Sequence, residues 1–403
     1  MKTRLRTPTQ SGNVGGQNIR INGAFMTGSN HQSAPSGGAG APLRVMLVGE
    51  SQIVADRVRK ALESVSDITI AVTTTDGVSA VSALRRENVD AIILDIGDVE
   101  GNVKVTLARL FRIDPAAKIV MVASLSFANV KNSMLGLLEG AAEFIPTPAA
   151  HTKSSSEIEF ARNLTSVIRA MGRTERVIDA TPGTTPRLVE LSSSRTAPKT
   201  ATIVLHAASK VVPDVLVIGS STGGPQALFT FFDTLPADVQ LPILITQHMP
   251  ATFTTLLAGH ITKHSGRDCR EGENGEPVVP NRVYLAPGDR HMSLHPAAAG
   301  ATIRLTDDPP VNFCRPSVDP LFFSAAKIYG AKVIAVMLTG MGSDGLDGAR
   351  AVVTAGGNLI AQNEETCVVW GMPRAVAEAG ICAAVLPLPQ LGPCVGRALR
   401  AQW

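Results

Sequence analysis

Val215-Leu-Val-Ile-Gly-Ser-Ser-Thr-Gly-Gly-Pro-Gln226 constrains this chain more than any other stretch, because it places a strand, a tight turn and a helix start side by side. Val215 to Ile218 is a continuous apolar run, which suits a strand covered on both faces in a parallel sheet. Pro225, after Gly223 and Gly224, fits the first helical position, where its missing N–H would be unpaired anyway. Between them, Gly219-Ser220-Ser221-Thr222-Gly223 fits G-x-S-x-G, which lifts the central serine hydroxyl clear of a sharp strand-to-helix turn beside backbone N–H groups. Ser221, not Ser220, holds the nucleophile position. Taken alone, the pattern is more often a Gly-Ser loop that caps a helix or cradles a phosphate, so support has to come from elsewhere in the chain.

At 403 residues the chain is long enough for two or three domains, and 44% hydrophobic content supplies their cores. A net charge of +3 and 4% aromatic residues give no case for nucleic-acid binding. No apolar run of about 18 residues and no apolar signal region in the first forty positions are found, which predicts a cytoplasmic protein without membrane insertion. All five cysteines (Cys269, Cys314, Cys367, Cys382 and Cys394) lie in the second half without CxxC spacing, which favours reduced, packed thiols over disulfides or zinc.

Residues 1–41 are rich in Gly, Ser, Asn and Gln without hydrophobic periodicity and are expected to be a disordered tail. Within 42–150, apolar runs at Arg44–Val48, Ile68–Val72, Ala91–Asp95, Lys118–Ala123 and Glu143–Pro146 alternate with helical segments. Residues 151–212 read as a linker with a helix over 157–171. Residues 213–400 again alternate strands and helices. The expected fold is α/β, with two doubly wound parallel-sheet domains joined by a flexible linker, the first of flavodoxin-like strand order and the second Rossmann-like.

In the second domain, Leu241–Thr246 leads into Gln247-His248, Val279–Ala286 into Pro287-Gly288-Asp289, and Val333–Leu338 into Thr339-Gly-Met-Gly-Ser-Asp344. Parallel sheets form active sites beyond the carboxyl ends of their strands, so Ser221, His248 and Asp344 are expected at one edge. Their chemistry is that of acyl transfer: imidazole takes the serine proton, and a carboxylate holds the imidazole tautomer. Each alone has a blander explanation, a hydrogen-bonded histidine or a turn aspartate. His260, His264, His291 and His295 compete for the base role, with His291 the strongest rival.

The first domain resembles a response-regulator receiver. The resemblance makes Asp95 the phosphorylation candidate and Glu50, with Asp95, a Mg²⁺ ligand. Three parts of that pattern are changed: Gly49 stands for the second acid, Ala123 for the hydroxyl ending strand four, with Ser124 one residue late, and Thr147 for the lysine after strand five. Asp98 is an alternative carboxylate. An inert pseudo-receiver remains an equal alternative.

Across the second domain, Gly219–Gly224, Ile245–Pro250, Leu285–Asp289, Asn312 through Arg315-Pro-Ser-Val-Asp319, Leu338–Gly345 and Ala361 through Arg374 resemble the catalytic domain of the chemotaxis protein-glutamate methylesterases, CheB. The resemblance implies a hydrolase of glutamyl methyl esters on cytoplasmic helices of methyl-accepting chemotaxis receptors, often with glutamine deamidation, and a CheA-type histidine kinase as a further partner. It implies Ser221 as nucleophile, His248 as general base and acid, Asp344 as orienting carboxylate and the N–H groups of Thr222 and Met341 as oxyanion donors. Catalysis needs no cofactor on this reading, and the unphosphorylated receiver is expected to cover the active site. Two alternatives stay open: a general small-ester hydrolase, and a regulatory scaffold with a vestigial hydrolase domain.

Overall fold

The structure, a computed structural model, describes residues 41–97, 103–148, 154–172, 203–298 and 300–403. The tail expected over 1–41 lies outside these residues but for its last position, as do Asp98 and positions 173–202 of the expected linker.

The first domain runs β1 (Leu43–Val48), α1 (Gln52–Glu63), β2 (Ile68–Thr74), α2 (Gly77–Leu84), β3 (Ala91–Asp95), α3 (Val103–Ile113), β4 (Ile119–Ala123), α4 (Phe127–Leu138), β5 (Glu143–Pro146) and α5 (Ser154–Gly172). Its five strands are parallel in the order β2-β1-β3-β4-β5, the flavodoxin-like arrangement. β3 and β4 are buried at every position, as their unbroken apolar runs require of strands covered on both faces. On α5, Phe160, Leu164, Val167, Ile168 and Met171 recur at helical spacing and join Val54, Val58 and Leu62 of α1 in one buried cluster.

The second domain runs β6 (Val215–Ser220), α6 (Gly224–Thr234), β7 (Ile243–Gln247), α7 (Ala251–Ser265), β8 (Asp268–Glu271), β9 (Arg282–Leu285), β10 (His291–Ala297), β11 (Gly300–Thr306), α8 (Val318–Tyr329), β12 (Val333–Met337), α9 (Leu346–Thr354), β13 (Asn358–Gln362), α10 (Met372–Glu378), β14 (Ala384–Leu386) and α11 (Leu388–Ala398). Seven of these strands form a parallel sheet ordered β14-β13-β12-β6-β7-β9-β8, with β10 and β11 a separate antiparallel hairpin. From β6 the chain crosses toward β7, whereas from β12 it crosses toward β13. The strand order therefore reverses between β6 and β12, where open α/β sheets bind their ligands.

Several boundaries differ from the sequence reading. β7 starts after Pro242, which has no N–H to give to a ladder, and β9 starts after Pro280 and the left-handed Asn281 (φ 61°). β8, with three charged residues among its four, carries no apolar run to reveal it. The linker reading over 151–212 is corrected at its end: His206 N–H donates to the Cys382 carbonyl at 2.8 Å, and Ser209 exchanges hydrogen bonds with the Asn358 amide at 2.8 and 2.9 Å. Its opposite end is helix α5 from Ser154 to Gly172.

The two domains pack against each other through α4 and Phe144 of the first and α6 and α7 of the second. One buried apolar cluster runs from Met121, Met134 and Leu137 into Leu228, Phe231 and Phe253, and the Phe144 and Phe253 rings stack with centroids 5.2 Å apart.

Candidate active site

The turn after β6 leads through Ser221 and Gly223 into α6. Gly223 takes φ 76°, a left-handed conformation that a Cβ would strain, and that Cβ would also come within 2.6 Å of Val368. Ser220 is fully buried and its Oγ donates to Gln247 Oε1 at 2.6 Å, whereas Ser221 is partly exposed. The Ser221 N–H donates to the Thr339 carbonyl at 3.0 Å, so the loop after β12 is fastened to the elbow after β6.

His248 follows β7, and Asp344 lies in the loop between β12 and α9. His248 Nε2 and Asp344 Oδ2 are 2.7 Å apart. Asp344 is 3% exposed yet fully engaged: Val318 N–H donates to Oδ2 at 2.7 Å, and Ser317 Oγ and Asn312 Nδ2 donate to Oδ1 at 2.7 and 2.9 Å. Val318 opens α8, so the carboxylate also faces the positive end of a helix dipole. Burial alone would raise the Asp344 pKa; the hydrogen bond and charge of His248, with Ser317 and Asn312, instead lower it to about 2. Burial likewise opposes the imidazolium, but Asp344 and the Cys314 sulfur outweigh it and raise the His248 pKa to about 9. An ionised Asp344 can only accept, so Nε2 carries the proton and Nδ1 is the nitrogen left for proton transfer.

Cys314 Sγ stands 3.5 Å from that Nδ1. Among the described residues no hydrogen bond joins Ser221 Oγ to His248, and catalytic contacts of this kind often close only with substrate in place. Among the same residues no backbone group accepts from the N–H of Thr222 or Met341, which leaves both donors available. Sequence reasoning gave no role to Asn312, Ser317 or Cys314. They lie 27 or more positions from Asp344, and only a motif resemblance marked their segment.

His291, the rival base, is 2% exposed, with Nε2 3.1 Å from the Pro309 carbonyl and Nδ1 accepting from the Ser317 N–H at 3.2 Å. Both ring nitrogens are spent on backbone, and the ring positions Ser317 rather than a substrate. His264 pairs with Asp233 at 2.7 Å, and the exposed His295 contacts the Pro296 carbonyl.

The first domain reaches this site directly. Thr222 Oγ1 donates to Glu143 Oε2 at 2.7 Å, and Gly223 N–H donates to the Ala142 carbonyl at 3.0 Å, so the entry to β5 is bonded to the nucleophile elbow. The side chains of Met341 and Val368 pack against the cluster that contains α5. Burial raises the Glu143 pKa against the hydrogen bonds from Thr222 and the Phe144 N–H.

Asp95 and Glu50 line one cavity of about 620 Å³ with Asp76, Thr106 and Arg109. Asp95 is 3% exposed and its Oδ1 accepts from the Gly97 N–H at 2.9 Å. A Cβ on Gly49 would fall 2.4 Å from the Asp95 Cβ, so the Asp95 side chain fills the place of the missing acid. Asp76 is committed to the start of α2, accepting from Val78 and Ser79 N–H at 2.8 and 3.0 Å. Among the described residues, no third carboxylate joins Asp95 and Glu50 in a group of metal-ligand geometry. Glu50 and Asp95 are the described carboxylates that would hold Mg²⁺ there, and Asp98 lies outside the described residues.

An ionised carboxylate on one imidazole nitrogen, with the other nitrogen left toward the nucleophile turn, is an arrangement that serine hydrolases use. The comparisons are narrower. The family model described as CheB methylesterase matches residues 216–395. A protein-glutamate methylesterase/protein-glutamine glutaminase of Azospirillum brasilense is 45% identical over 370 residues, 90% of this chain and 94% of that relative. One from Paramagnetospirillum magneticum is 43% identical over 363 residues, covering 88% of this chain and 95% of its own. The solved CheB methylesterase catalytic domain of Thermotoga maritima is 43% identical and matches 46% of this chain and 98% of that one, with a TM-score of 0.45. The chain belongs to the CheB methylesterase family.

Proposed function

We propose that this protein hydrolyses glutamyl methyl esters on the cytoplasmic helices of chemoreceptors, and the side-chain amides of glutamines there, with Ser221, His248 and Asp344 as its catalytic groups. The observation that carries the reading is the 2.7 Å contact of His248 Nε2 with a buried Asp344 held by three further donors. His248 Nδ1 takes the Ser221 proton as Oγ attacks the ester carbonyl. The N–H groups of Thr222 and Met341 meet the developing oxyanion, and the imidazolium returns the proton to departing methanol. Water, activated by the same nitrogen, then releases the glutamate carboxylate. The family relatives carry the name protein-glutamate methylesterase/protein-glutamine glutaminase, which supports both substrates.

The reading extends to control. Hydrogen bonds from Thr222 and Gly223 to the β5 edge hold the first domain over the nucleophile turn. The docked chain is therefore read as a restrained form. A histidine kinase of the CheA type fits the receiver-like fold as a partner, although Gly49, Ala123 and Thr147 replace the groups expected to reward phosphorylation. Methanol release from radiolabelled methylated receptor membranes tests the activity. Release by the full chain that disappears in Ser221→Ala supports it, and comparable turnover of unrelated small esters with none from receptor would favour a general esterase.

A further inference from the structure

Cys314 is the one cysteine of the five set against the catalytic groups. Cys269, Cys382 and Cys394 are buried and Cys367 is half-buried, all with thiol pKa values raised by burial, to about 12 for Cys269 and Cys382. Cys314 is partly exposed, and its sulfur lies 3.5 Å from His248 Nδ1 and 3.4 Å from the Asn312 carbonyl. It sits in a tight turn that Val311 and Cys314 close by two backbone hydrogen bonds of 3.1 and 2.9 Å, with Asn312 anchored to Asp319 and Asp344. The thiol is thus held in place.

We propose that His248 Nδ1 and Cys314 Sγ form a binding site for a thiophilic divalent cation of the Zn²⁺ type, which switches the hydrolase off by occupying the nitrogen that must receive the serine proton. A tetrahedral zinc with bonds of about 2.3 Å to sulfur and about 2.0 Å to nitrogen holds these two ligands about 3.5 Å apart, the separation found here. His248, Cys314 and Asp344 also form the one group of three or more potential ligand side chains among the described residues, with atoms within 4.8 Å of one another. Asp344 lies on the other ring nitrogen, so it does not ligate the same cation. It serves instead as the carboxylate that receives the far N–H of a metal-binding histidine and fixes the ring's orientation. Water completes the coordination. Binding releases to solvent the thiol proton and, below about pH 9, the proton on Nδ1 of the imidazolium, so no oxidant or further reactant is needed. The CxxC spacing that sequence reading looks for is absent because the two ligands are 66 positions apart and meet only in the fold.

The inference rests on His248 as the base, and the test separates the two. Full-length protein, freed of metal by chelation, is titrated with Zn²⁺ during methyl-ester hydrolysis, and separately with Co²⁺ while the near-ultraviolet thiolate-to-cobalt absorption is read. Micromolar Zn²⁺ is expected to lower turnover at least about tenfold, reversibly on chelation, while millimolar Mg²⁺, a hard cation that avoids sulfur, does not. In Cys314→Ser the zinc midpoint, compared with that variant's own metal-free rate, shifts upward by about tenfold or more. The cobalt band is present in wild type and in inactive Ser221→Ala, and absent in Cys314→Ser. An unchanged zinc midpoint in Cys314→Ser, or a cobalt-bound wild type without a thiolate band, overturns the proposal. Because the band does not depend on turnover, it survives even if the hydrolase reading fails.

Discussion

Asp95 ends a buried strand of a parallel sheet and Asp344 lies in the loop after another, and both are 3% exposed, yet their surroundings differ. Asp344 has an imidazole, a hydroxyl, an amide and a helix N–H converging on its two oxygens. Around Asp95 the positions that should carry an acid, a hydroxyl and a lysine carry Gly49, Ala123 and Thr147, and Thr147 is itself buried. A buried carboxylate is stabilised as an ion only by donors or cations that replace its water. The first site is wired for chemistry, whereas the second keeps its acid with three other positions of the receiver pattern changed.

The largest test of that contrast removes the nucleophile. Ser221→Ala is expected to lower kcat by about 10⁶, as in comparable triads, with the fold unchanged by circular dichroism. Ser220→Ala loses a buried hydrogen bond to Gln247 and affects stability, at roughly 1 to 3 kcal/mol, more than turnover. Equal loss of activity in both would mean that the turn, not one hydroxyl, is what matters.

Next comes Asp344→Asn, which offers His248 a donor in place of an acceptor at one face and is expected to cost about 10⁴ in kcat. The pH profile of the intact chain sharpens it. Activity should climb through the His248 titration toward about pH 9, because only the neutral ring accepts the serine proton. Stability runs the other way. The raised His248 pKa contributes fully below its unfolded value of about 6.5 and is lost as pH rises through about 9, while the Asp344 contribution is lost as pH falls from about 4 through about 2. A profile flat from pH 6 to 10 would remove His248 from the base role.

A smaller effect is expected at the contact between the domains. Glu143→Lys places an unpaired cation where a buried carboxyl accepts from Thr222 and should loosen the first domain, raising receptor-ester turnover by about 5-fold or more. Deleting residues 1–202 should do the same. Because burial raises the Glu143 pKa, docking is favoured by its neutral form: that contribution is complete below the ordinary carboxylate range and is lost as pH rises through the raised value. Glu143→Gln, which cannot ionise, should keep the domains together at high pH. Unchanged turnover in both Glu143→Lys and the deletion would mean that the contact does not restrain the enzyme.

Smallest of all is the response to phosphorylation. Beryllium fluoride or acetyl phosphate with Mg²⁺ should change turnover by less than about 2-fold, since a switch needs contacts that only the modified form gains. Stable phosphorylation of Asp95 with tenfold activation, lost in Asp95→Asn, would reverse the comparison and place Ser124 or another group in the missing roles.

The sequence alone determined the two parallel-sheet domains and the stations of Ser221, His248 and Asp344, because unbroken apolar runs followed by Gly- and Ser-rich turns mark buried strands and the loops at their carboxyl ends. Short-range chemistry also singled out Ser221, since the constraint on its turn, Gly223 at positive φ followed by Pro225, is local. Only the tertiary structure decided what lies around those residues. Edge strand β8 was hidden because its one buried residue, Cys269, sits among charged ones, and the fastening of 206–209 depends on carbonyls and amides far along the chain. The donors on Asp344, the thiol at His248 Nδ1 and the bond from Thr222 to Glu143 join positions 26 to 96 apart in sequence. No periodicity records such pairs, because a hydrogen bond depends on where two atoms meet in space and leaves no repeat along the chain.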